Sequence, residues 1–174
     1  MTGTIARIEG YASIFNTPDL NGDVVAPGAF KRALREKGAR DIRMLYQHAA
    51  ETPLGRWTRL KEDGRGLYAE GELLLDSENA REVYALLKGR AIDGLSIGFQ
   101  TVRAARHERP AKRFILEADL WEVSIVTFPM APGARLALIG EPEPAAPVRG
   151  SLKPFESGRV FADSVRAAAE ILSI

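Results

Sequence analysis

The chain has 174 residues, with 24 basic against 23 acidic side chains and a formal net charge of +1. This length suits one domain with a core of its own, and the near-zero charge gives no indication of a nucleic-acid or acidic partner. The absence of cysteine excludes disulfides, thiolate catalysis and cysteine-ligated metal sites.

No apolar segment approaches the length of a membrane span, and the N-terminus lacks the pattern of a signal peptide, so we expect no membrane association. Residues 7–15 predict a strand and residues 16–23 a turn-rich loop. The loop resembles a calcium-binding loop, but Phe30 stands where an EF-hand needs its bidentate glutamate. We therefore predict no metal site and no cofactor.

The next segments alternate between helix, strand and turn. Apolar residues from Phe30 to Leu34 form one face of a short helix that Gly38 ends. Strand character over 42–47 places His48 at the end of a strand. The chain then continues with predicted turns at 51–55 and 63–66 and predicted strands at 56–60 and 67–75.

The most regular helical pattern lies between Ser77, which suits an N-cap, and Gly89, which suits a helix end. Its apolar residues follow the i, i+3, i+4, i+7 spacing of an amphipathic helix: Ala80, Val83, Tyr84 and Leu87.

Strands outnumber helices along the chain. Residues 92–102 predict a strand that carries Ser96, residues 103–112 a polar loop, and residues 113–126 one or two strands. Short strands in mainly antiparallel order, with helices inserted between them, favour an α+β fold or a barrel over a doubly wound sheet.

The composition changes after Leu138, where a proline-rich stretch begins. We predict one domain over residues 1–139 and, over residues 140–174, a linker followed by an amphipathic helix. This helix is too short to be stable alone, so we expect it to dock on its own domain, a second copy or another protein. Its apolar stripe consists of Val165, Ala168, Ala169 and Leu172.

Three polar residues within or beside apolar strands have the types of a nucleophile, a base and an orienter: Ser96, His48 and Glu122. A serine hydroxyl is a poor nucleophile until a base accepts its proton, and an imidazole with a pKa near 6.5 suits that role. Each residue also has a structural interpretation. These are a hydrogen-bonded histidine at a strand end, a serine tolerated in a strand, and a glutamate that faces solvent.

Other residues compete for the same roles. Ser124 shares one strand face with Glu122 and is the rival nucleophile, while Asp93 and Asp119 are the rival carboxylates. His107 lies in a charged loop and is interpreted as a surface residue.

Gly94 and Gly98 flank Ser96 and indicate a bulge, tight packing or close approach of a substrate backbone. The Gly-x-Ser-x-Gly spelling also matches a nucleophile elbow. Strand residues follow where that elbow needs a helix, which disfavours an α/β-hydrolase.

Four sequence blocks follow one another between about Gly10 and Pro132. They read Val-Ala-Pro-Gly-Ala-Phe at 25–30, Leu-Tyr-Gln-His at 45–48 with Pro-Leu-Gly at 53–55, Gly-Leu-Ser-Ile-Gly-Phe at 94–99, and Glu-Val-Ser-Ile-Val-Thr-Phe-Pro at 122–129. In this order and spacing they resemble the prohead maturation protease family of tailed phages.

The resemblance implies a serine endopeptidase that cleaves scaffold protein, or the scaffold-like N-terminal region of the major capsid protein, inside an immature capsid in the host cytoplasm. It implies the fold of the herpesvirus assembly proteases, a small, mainly antiparallel β-barrel surrounded by helices. It also implies His48 as general base and Ser96 as nucleophile, with Glu122 as the best positional match for the third member.

By analogy with the assembly proteases, backbone amides in the turn after residue 129 would hold the oxyanion, with Met130, Ala131 and Gly133 as candidate donors. Self-cleavage is common in the family, which gives the 140–174 tail a role as a targeting element removed on maturation. An ordered helix packed on the domain is the alternative. A homodimer is expected by analogy alone.

Two other functions stay open. The first is a non-catalytic capsid-assembly or scaffold factor with a protease-like fold, which the presence of all three candidate residues disfavours. The second is an esterase, which the missing elbow helix disfavours.

Overall fold

Eight strands form one mixed sheet in the computed structural model, which describes residues 3–106 and 113–146. The strands are β1 (Thr4–Ile14), β2 (Asp23–Val25), β3 (Arg43–Tyr46), β4 (Ala49–Glu62), β5 (Gly66–Leu74), β6 (Gly94–Arg106), β7 (Arg113–Val126) and β8 (Leu136–Pro144). The helices of this part of the chain are α1 (Lys31–Lys37), a 3-10 turn (Ala39–Asp41) and α2 (Glu78–Lys88).

The sheet runs in the order β2-β7-β3-β4-β5-β1-β8, and β6 pairs with β7 off this path. Pairing is antiparallel except between β7 and its parallel neighbours β2 and β3. The predicted α+β class with mainly antiparallel strands is confirmed. The sheet is open in this pairing order, and helices are fewer than expected, since α1 and α2 are the only α-helices of the described residues.

The core lies between the sheet and the two helices. Helix α2 buries Ala80, Val83 and Leu87, as its spacing predicts, and α1 buries Ala33. The largest fully buried side chain is Trp57 of β4. Burial of each large apolar side chain stabilises the fold by roughly 1.5–3 kcal/mol. Neither helix is long and apolar enough to cross a bilayer, and the same holds for every helix in the described ranges.

Two turns of the sheet differ in how well the sequence predicts them. The β4–β5 hairpin is confirmed, with Asp63 Oδ1 accepting hydrogen bonds from the backbone N–H groups of Arg65 and Gly66. The turn predicted at 51–55 is wrong, because those residues already belong to β4. Register shifts next to Leu45 let β3 pair through Pro53, so the chain continues as strand where the proline suggested a turn.

The chain also stays in strands longer than expected at two places. Strand β6 extends to Arg106, into the segment predicted as a polar loop. Strand β8 includes residues 140–144, which the composition assigned to the linker, and Pro144 lies opposite Thr4 of β1. Proline is tolerated here because β8 is an edge strand. His107 lies outside the described residues, and so does the part of the predicted tail from 147 to 174.

Candidate active site

His48 lies in a two-residue turn between β3 and β4, rather than at the end of a plain strand. Tyr46 and Ala49 pair across the turn, and both central residues have positive φ, 52° at Gln47 and 62° at His48. This is the backbone pattern of a type I′ hairpin turn, which usually takes Asn-Gly. Two non-glycine residues in the left-handed region store strain, which the surrounding contacts must offset.

The imidazole of His48 contacts Glu122 of β7, with 2.6 Å between Nδ1 and Oε1. The His48 side chain is 44% exposed and that of Glu122 only 11%. Glu122 therefore does not face solvent, and its hydrogen bond raises the pKa of the His48 imidazole, against the opposing effect of burial. With a proton on Nδ1 facing the carboxylate, Nε2 keeps its lone pair for a reacting group.

Ser124 completes this hydrogen-bonded group. Its hydroxyl donates to the second carboxylate oxygen of Glu122, Oε2, at 2.6 Å, and accepts a hydrogen bond from the backbone N–H of His48 at 3.2 Å. Ser124 is fully buried. The Ser124 hydroxyl proton is already donated to Glu122, and solvent does not reach the side chain. Ser124 therefore does not suit the role of rival nucleophile.

Ser96 lies on β6 directly opposite Ser124 of β7. Residues paired across an antiparallel ladder project from the same face, so Ser96, Ser124 and Glu122 share one side of the sheet. Ser96 lines a small cavity of about 50 Å³ at the surface, although the residue as a whole is only 5% exposed. Within residues 3–106 and 113–146 its hydroxyl makes no hydrogen bond, and so none to His48.

Met130 and Ala131, two of the three predicted oxyanion donors, line the same cavity as Ser96. The backbone N–H groups of both residues, and of Gly133, find no acceptor among the described residues. The carbonyl of Ala131 accepts from Ala134 N–H at 2.8 Å, which closes a turn at this point. Gly133 is not among the cavity-lining residues and lies against Ile14.

The rival carboxylates are engaged elsewhere. Asp119 accepts from Lys37 Nζ at 2.5 Å and from Trp121 Nε1 at 2.9 Å. Asp93 lies 3.4 Å from Arg135 Nε. Neither carboxylate contacts His48, whereas Glu122 does. Of the three acidic candidates, only Glu122 is placed to orient the imidazole.

The two glycines around Ser96 accommodate the protein's own chain. A Cβ at Gly98 would lie 2.1 Å from Glu122 Oε1, and one at Gly94 would lie 2.6 Å from the Val126 carbonyl oxygen. A register shift follows Gly98, as the bulge interpretation expects. Gly98 thus leaves the space in which the Glu122 carboxylate reaches His48.

Sequence reasoning missed a second contact of the His48 turn. Gln47 donates from Nε2 to Thr127 Oγ1 at 2.7 Å, and its backbone N–H donates to the Ile125 carbonyl at 3.0 Å. The 45–48 and 122–129 blocks contain these residues, but no spacing rule indicates that they touch. Parallel pairing of β3 with β7 brings the two blocks together.

Solved structures with a similar fold come from viral proteases. The bacteriophage T4 capsid assembly protease matches with a TM-score of 0.57 at 13% identity, covering 69% of this chain and 80% of that one. The Kaposi's sarcoma herpesvirus protease, in complex with a hexapeptide phosphonate inhibitor, matches with a TM-score of 0.52 at 15% identity, covering 80% of this chain and 66% of that one. The chain therefore has the fold of the viral assembly proteases.

Sequence relatives narrow this class. A family model described as Caudovirus prohead serine protease matches residues 1–142. The prohead protease of Enterobacteria phage HK97 is 37% identical over 131 residues, 74% of this chain and 58% of the relative. That of Escherichia phage T5 is 30% identical over 127 residues, 72% of this chain and 59% of the relative. The chain spans a little under three fifths of the length of these two curated relatives.

The chain belongs to the Caudovirus prohead serine protease family. The resemblance carried by the four sequence blocks is confirmed.

Proposed function

We propose that the protein is a serine endopeptidase that processes capsid or scaffold protein, and also itself, during maturation of a phage or phage-like head. The observation that carries the proposal is the 2.6 Å contact between His48 Nδ1 and Glu122 Oε1, beside a cavity lined by Ser96. Family membership supports the reaction class, and this geometry supports three candidate residues for the reaction: Ser96, His48 and Glu122.

In the proposed mechanism Ser96 Oγ attacks the carbonyl carbon of the scissile peptide bond while its proton passes to His48 Nε2. Collapse of the tetrahedral intermediate breaks the C–N bond, and the same proton leaves on the amine. Water then attacks the acyl-enzyme ester and gives a proton to His48, which returns it to Ser96 as the acid product leaves. Glu122 stays ionised and holds the imidazole in the tautomer with hydrogen on Nδ1.

The absent hydrogen bond between Ser96 and His48 is compatible with this mechanism, because such bonds are often long in the free enzyme and tighten when substrate binds. The oxyanion would be held by the backbone N–H groups of Met130 and Ala131, which have no acceptor in the described structure and line the cavity with Ser96. Gly133 is the weaker candidate, since it is not among the lining residues.

We further propose that the sheet closes into the predicted barrel between β6 and β1. Gly94 forms an isolated bridge with Arg135, and Leu95 N–H donates to the Ala134 carbonyl at 3.1 Å. The backbone N–H of Tyr11 in β1 donates to the Arg135 carbonyl at 3.0 Å. One short segment thus contacts both strand edges, and this is the support for closure.

The substrate on this proposal is the scaffold-like N-terminal region of the major capsid protein, or a separate scaffold protein. The site of action is the interior of the immature capsid in the host cytoplasm. A homodimer is expected by analogy alone, and sedimentation equilibrium on the purified protein would test it.

A fluorophosphonate probe tests the catalytic assignment without knowledge of the substrate. We expect one phosphonyl group on Ser96, located by mass spectrometry, and no labelling of Ser96→Ala or His48→Ala. Both variants should keep the melting temperature of the parent within a few degrees. Labelling of Ser96→Ala at the parent's rate would contradict the assignment of Ser96.

Processing requires a second measurement. We expect mass spectrometry of the capsid protein to show a shortened N-terminus when it is co-expressed with the parent, and the full-length form with Ser96→Ala. A capsid protein left intact by a labelled, folded parent would favour an esterase. An unlabelled parent that still assembles with capsid protein would favour the non-catalytic assembly factor.

A further inference from the structure

The Ser124 hydroxyl contacts both His48, the proposed base, and Glu122, the proposed orienter of that base. It donates to Glu122 Oε2 at 2.6 Å and accepts from the His48 backbone N–H at 3.2 Å. We propose that Ser124 is a positioning residue that fixes Glu122 and the turn bearing His48 in their reactive arrangement. This inference rests on the proposed function.

The Glu122 carboxylate needs Ser124 in order to stay where it is. One carboxylate oxygen contacts His48 and the other accepts from Ser124, so both oxygens have a partner. The Glu122 side chain is only 11% exposed, so loss of the Ser124 proton would leave a carboxylate oxygen unpaired away from water. The side chain would then rotate toward solvent and leave the imidazole.

The same hydroxyl acts on the backbone that carries the base. His48 has a φ of 62°, a left-handed conformation that is unfavourable for a histidine and persists only when its surroundings impose it. The His48 N–H would lie without an acceptor in the turn if Ser124 were removed, since the Ser124 Oγ is the acceptor that the described structure gives it. One hydroxyl therefore sets both the side-chain partner and the backbone conformation of His48.

Ser124 does not act as a substrate contact. The residue is fully buried, and the cavity beside Ser96 is not lined by it. Its removal should therefore lower the rate of the chemical step and leave substrate affinity unchanged, which separates it from a binding residue.

A pair of isosteric variants tests the proposal. Ser124→Thr and Ser124→Val add the same volume and differ only in the hydroxyl. We expect Ser124→Thr to be phosphonylated at Ser96 at least about ten times faster than Ser124→Val, the lower end of the range for one hydrogen bond to a charged group. Ser124→Ala removes the hydroxyl without adding volume, so it should also be labelled more slowly than the parent, and it takes the place of the isosteric pair if the larger side chains do not fit.

Imidazole titration by NMR provides a readout that does not depend on activity. The chain has two histidines, so the resonances are assigned by the spectrum of a His107→Gln protein. In Ser96→Ala protein, which cannot cleave itself, we expect the pKa of His48 to lie above its ordinary value of about 6.5. Adding Ser124→Ala should bring this pKa down toward that value, because Glu122 no longer holds the ring.

Thr58→Val is the matched control, since it deletes a hydroxyl that donates to the Glu70 carbonyl, between strands β4 and β5. It should change neither the labelling rate nor the titration. Equal labelling of Ser124→Thr and Ser124→Val, with an unshifted His48 titration in Ser124→Ala, would overturn the proposal. A parent that is not labelled at all would contradict the proposed function instead, and the NMR titration would still decide the role of Ser124.

Discussion

Gly98 stands opposite Glu122 across the β6–β7 ladder, and the space of its missing side chain is filled by the Glu122 carboxylate. A Cβ there would lie 2.1 Å from Oε1 and 2.9 Å from Cγ of Glu122. The clashing atoms belong to a side chain that can rotate away, so the fold should tolerate an alanine while the contact with His48 is lost. On the proposed mechanism, the glycine of the Ser-Ile-Gly-Phe block would therefore affect catalysis without touching substrate.

We therefore expect Gly98→Ala to slow phosphonylation of Ser96 about tenfold or more, while the melting temperature falls by only a few degrees. Gly64→Ala is the matched control, because a Cβ at Gly64 would meet no heavy atom within 4 Å beyond its chain neighbours, and Gly64 does not have positive φ. It should label at the parent's rate. Full activity of folded Gly98→Ala would show that Glu122 need not occupy this space.

The negative charge of Glu122 leads to a prediction about the pH dependence of activity. The proposed base, His48, must be neutral to accept a proton, and the hydrogen bond that its Nδ1–H donates to Glu122 raises its pKa. Activity of the parent should therefore be lost on acidification through a pKa above about 6.5. In Glu122→Gln we expect this acid limb to move to lower pH and the maximal rate to fall by about 10²–10⁴-fold.

The measurement is the pH profile of the labelling rate between pH 5 and 9, with circular dichroism at each pH to establish that the protein stays folded. Asp119→Asn is the control, since Asp119 is paired with Lys37 and lies on the same strand. An acid limb that does not move in Glu122→Gln would assign the third role to water or to another group.

At the scale of elements, the β3–β4 hairpin turn is the part that carries the proposed base, His48. Gln47 and His48 both have positive φ, and neither is a residue that the turn type favours. Contacts with β7 and with Thr127, the residue after it, hold the turn instead: Gln47 Nε2 donates to Thr127 Oγ1 at 2.7 Å, and Gln47 N–H donates to the Ile125 carbonyl. The turn is thus formed by tertiary contacts rather than by its own sequence.

Thr127→Val removes the hydroxyl that accepts from Gln47 Nε2 and nearly keeps the side-chain volume. We expect labelling of Ser96 to slow by roughly threefold to tenfold, because the net value of one hydrogen bond is about 0.5–1.5 kcal/mol. Gln47→Ala should slow labelling at least as much, because it also removes the hydrogen bond that the Thr127 backbone N–H donates to Gln47 Oε1 at 3.4 Å. The double variant should be no slower than Gln47→Ala, since the Gln47 side chain takes part in both bonds. Additive losses would show that Gln47 and Thr127 act separately.

The elements show which parts of this fold a sequence can specify. Helix α2 was predictable because its apolar spacing is local, and so was the β4–β5 hairpin, whose Asp63 bonds to residues two and three positions ahead. The His48 turn was not, because Gln-His carries none of the usual signal. The types of Ser96, His48 and Glu122 indicated their chemistry, whereas the role of Ser124 depends on the register of β3, β6 and β7, which no local pattern fixes.

At the scale of the whole molecule, the described structure extends into the first residues of the predicted 140–174 tail. Strand β8 ends at Pro144, opposite Thr4, and Ala145 N–H donates to the Gly3 carbonyl. The family match also ends at residue 142. A chain that stops after Ala146 keeps the whole region matched by the family and all of β8.

We expect deletion of residues 147–174 to leave the melting temperature and the Ser96 labelling rate unchanged, and to reduce the amount of protein that co-purifies with immature capsids. Reduced recovery is expected if the tail is the targeting element, because the deletion removes the apolar stripe with which the predicted helix would dock on scaffold or shell. Deletion after Pro142 is the matched control. It also removes the pairing of Glu143 and Pro144 with β1 and the Arg7–Glu143 ion pair, so its melting temperature should fall by roughly 2–4 °C per kcal/mol lost. If deletion after Ala146 lowers stability as much as deletion after Pro142 does, the tail is instead an ordered part of the domain.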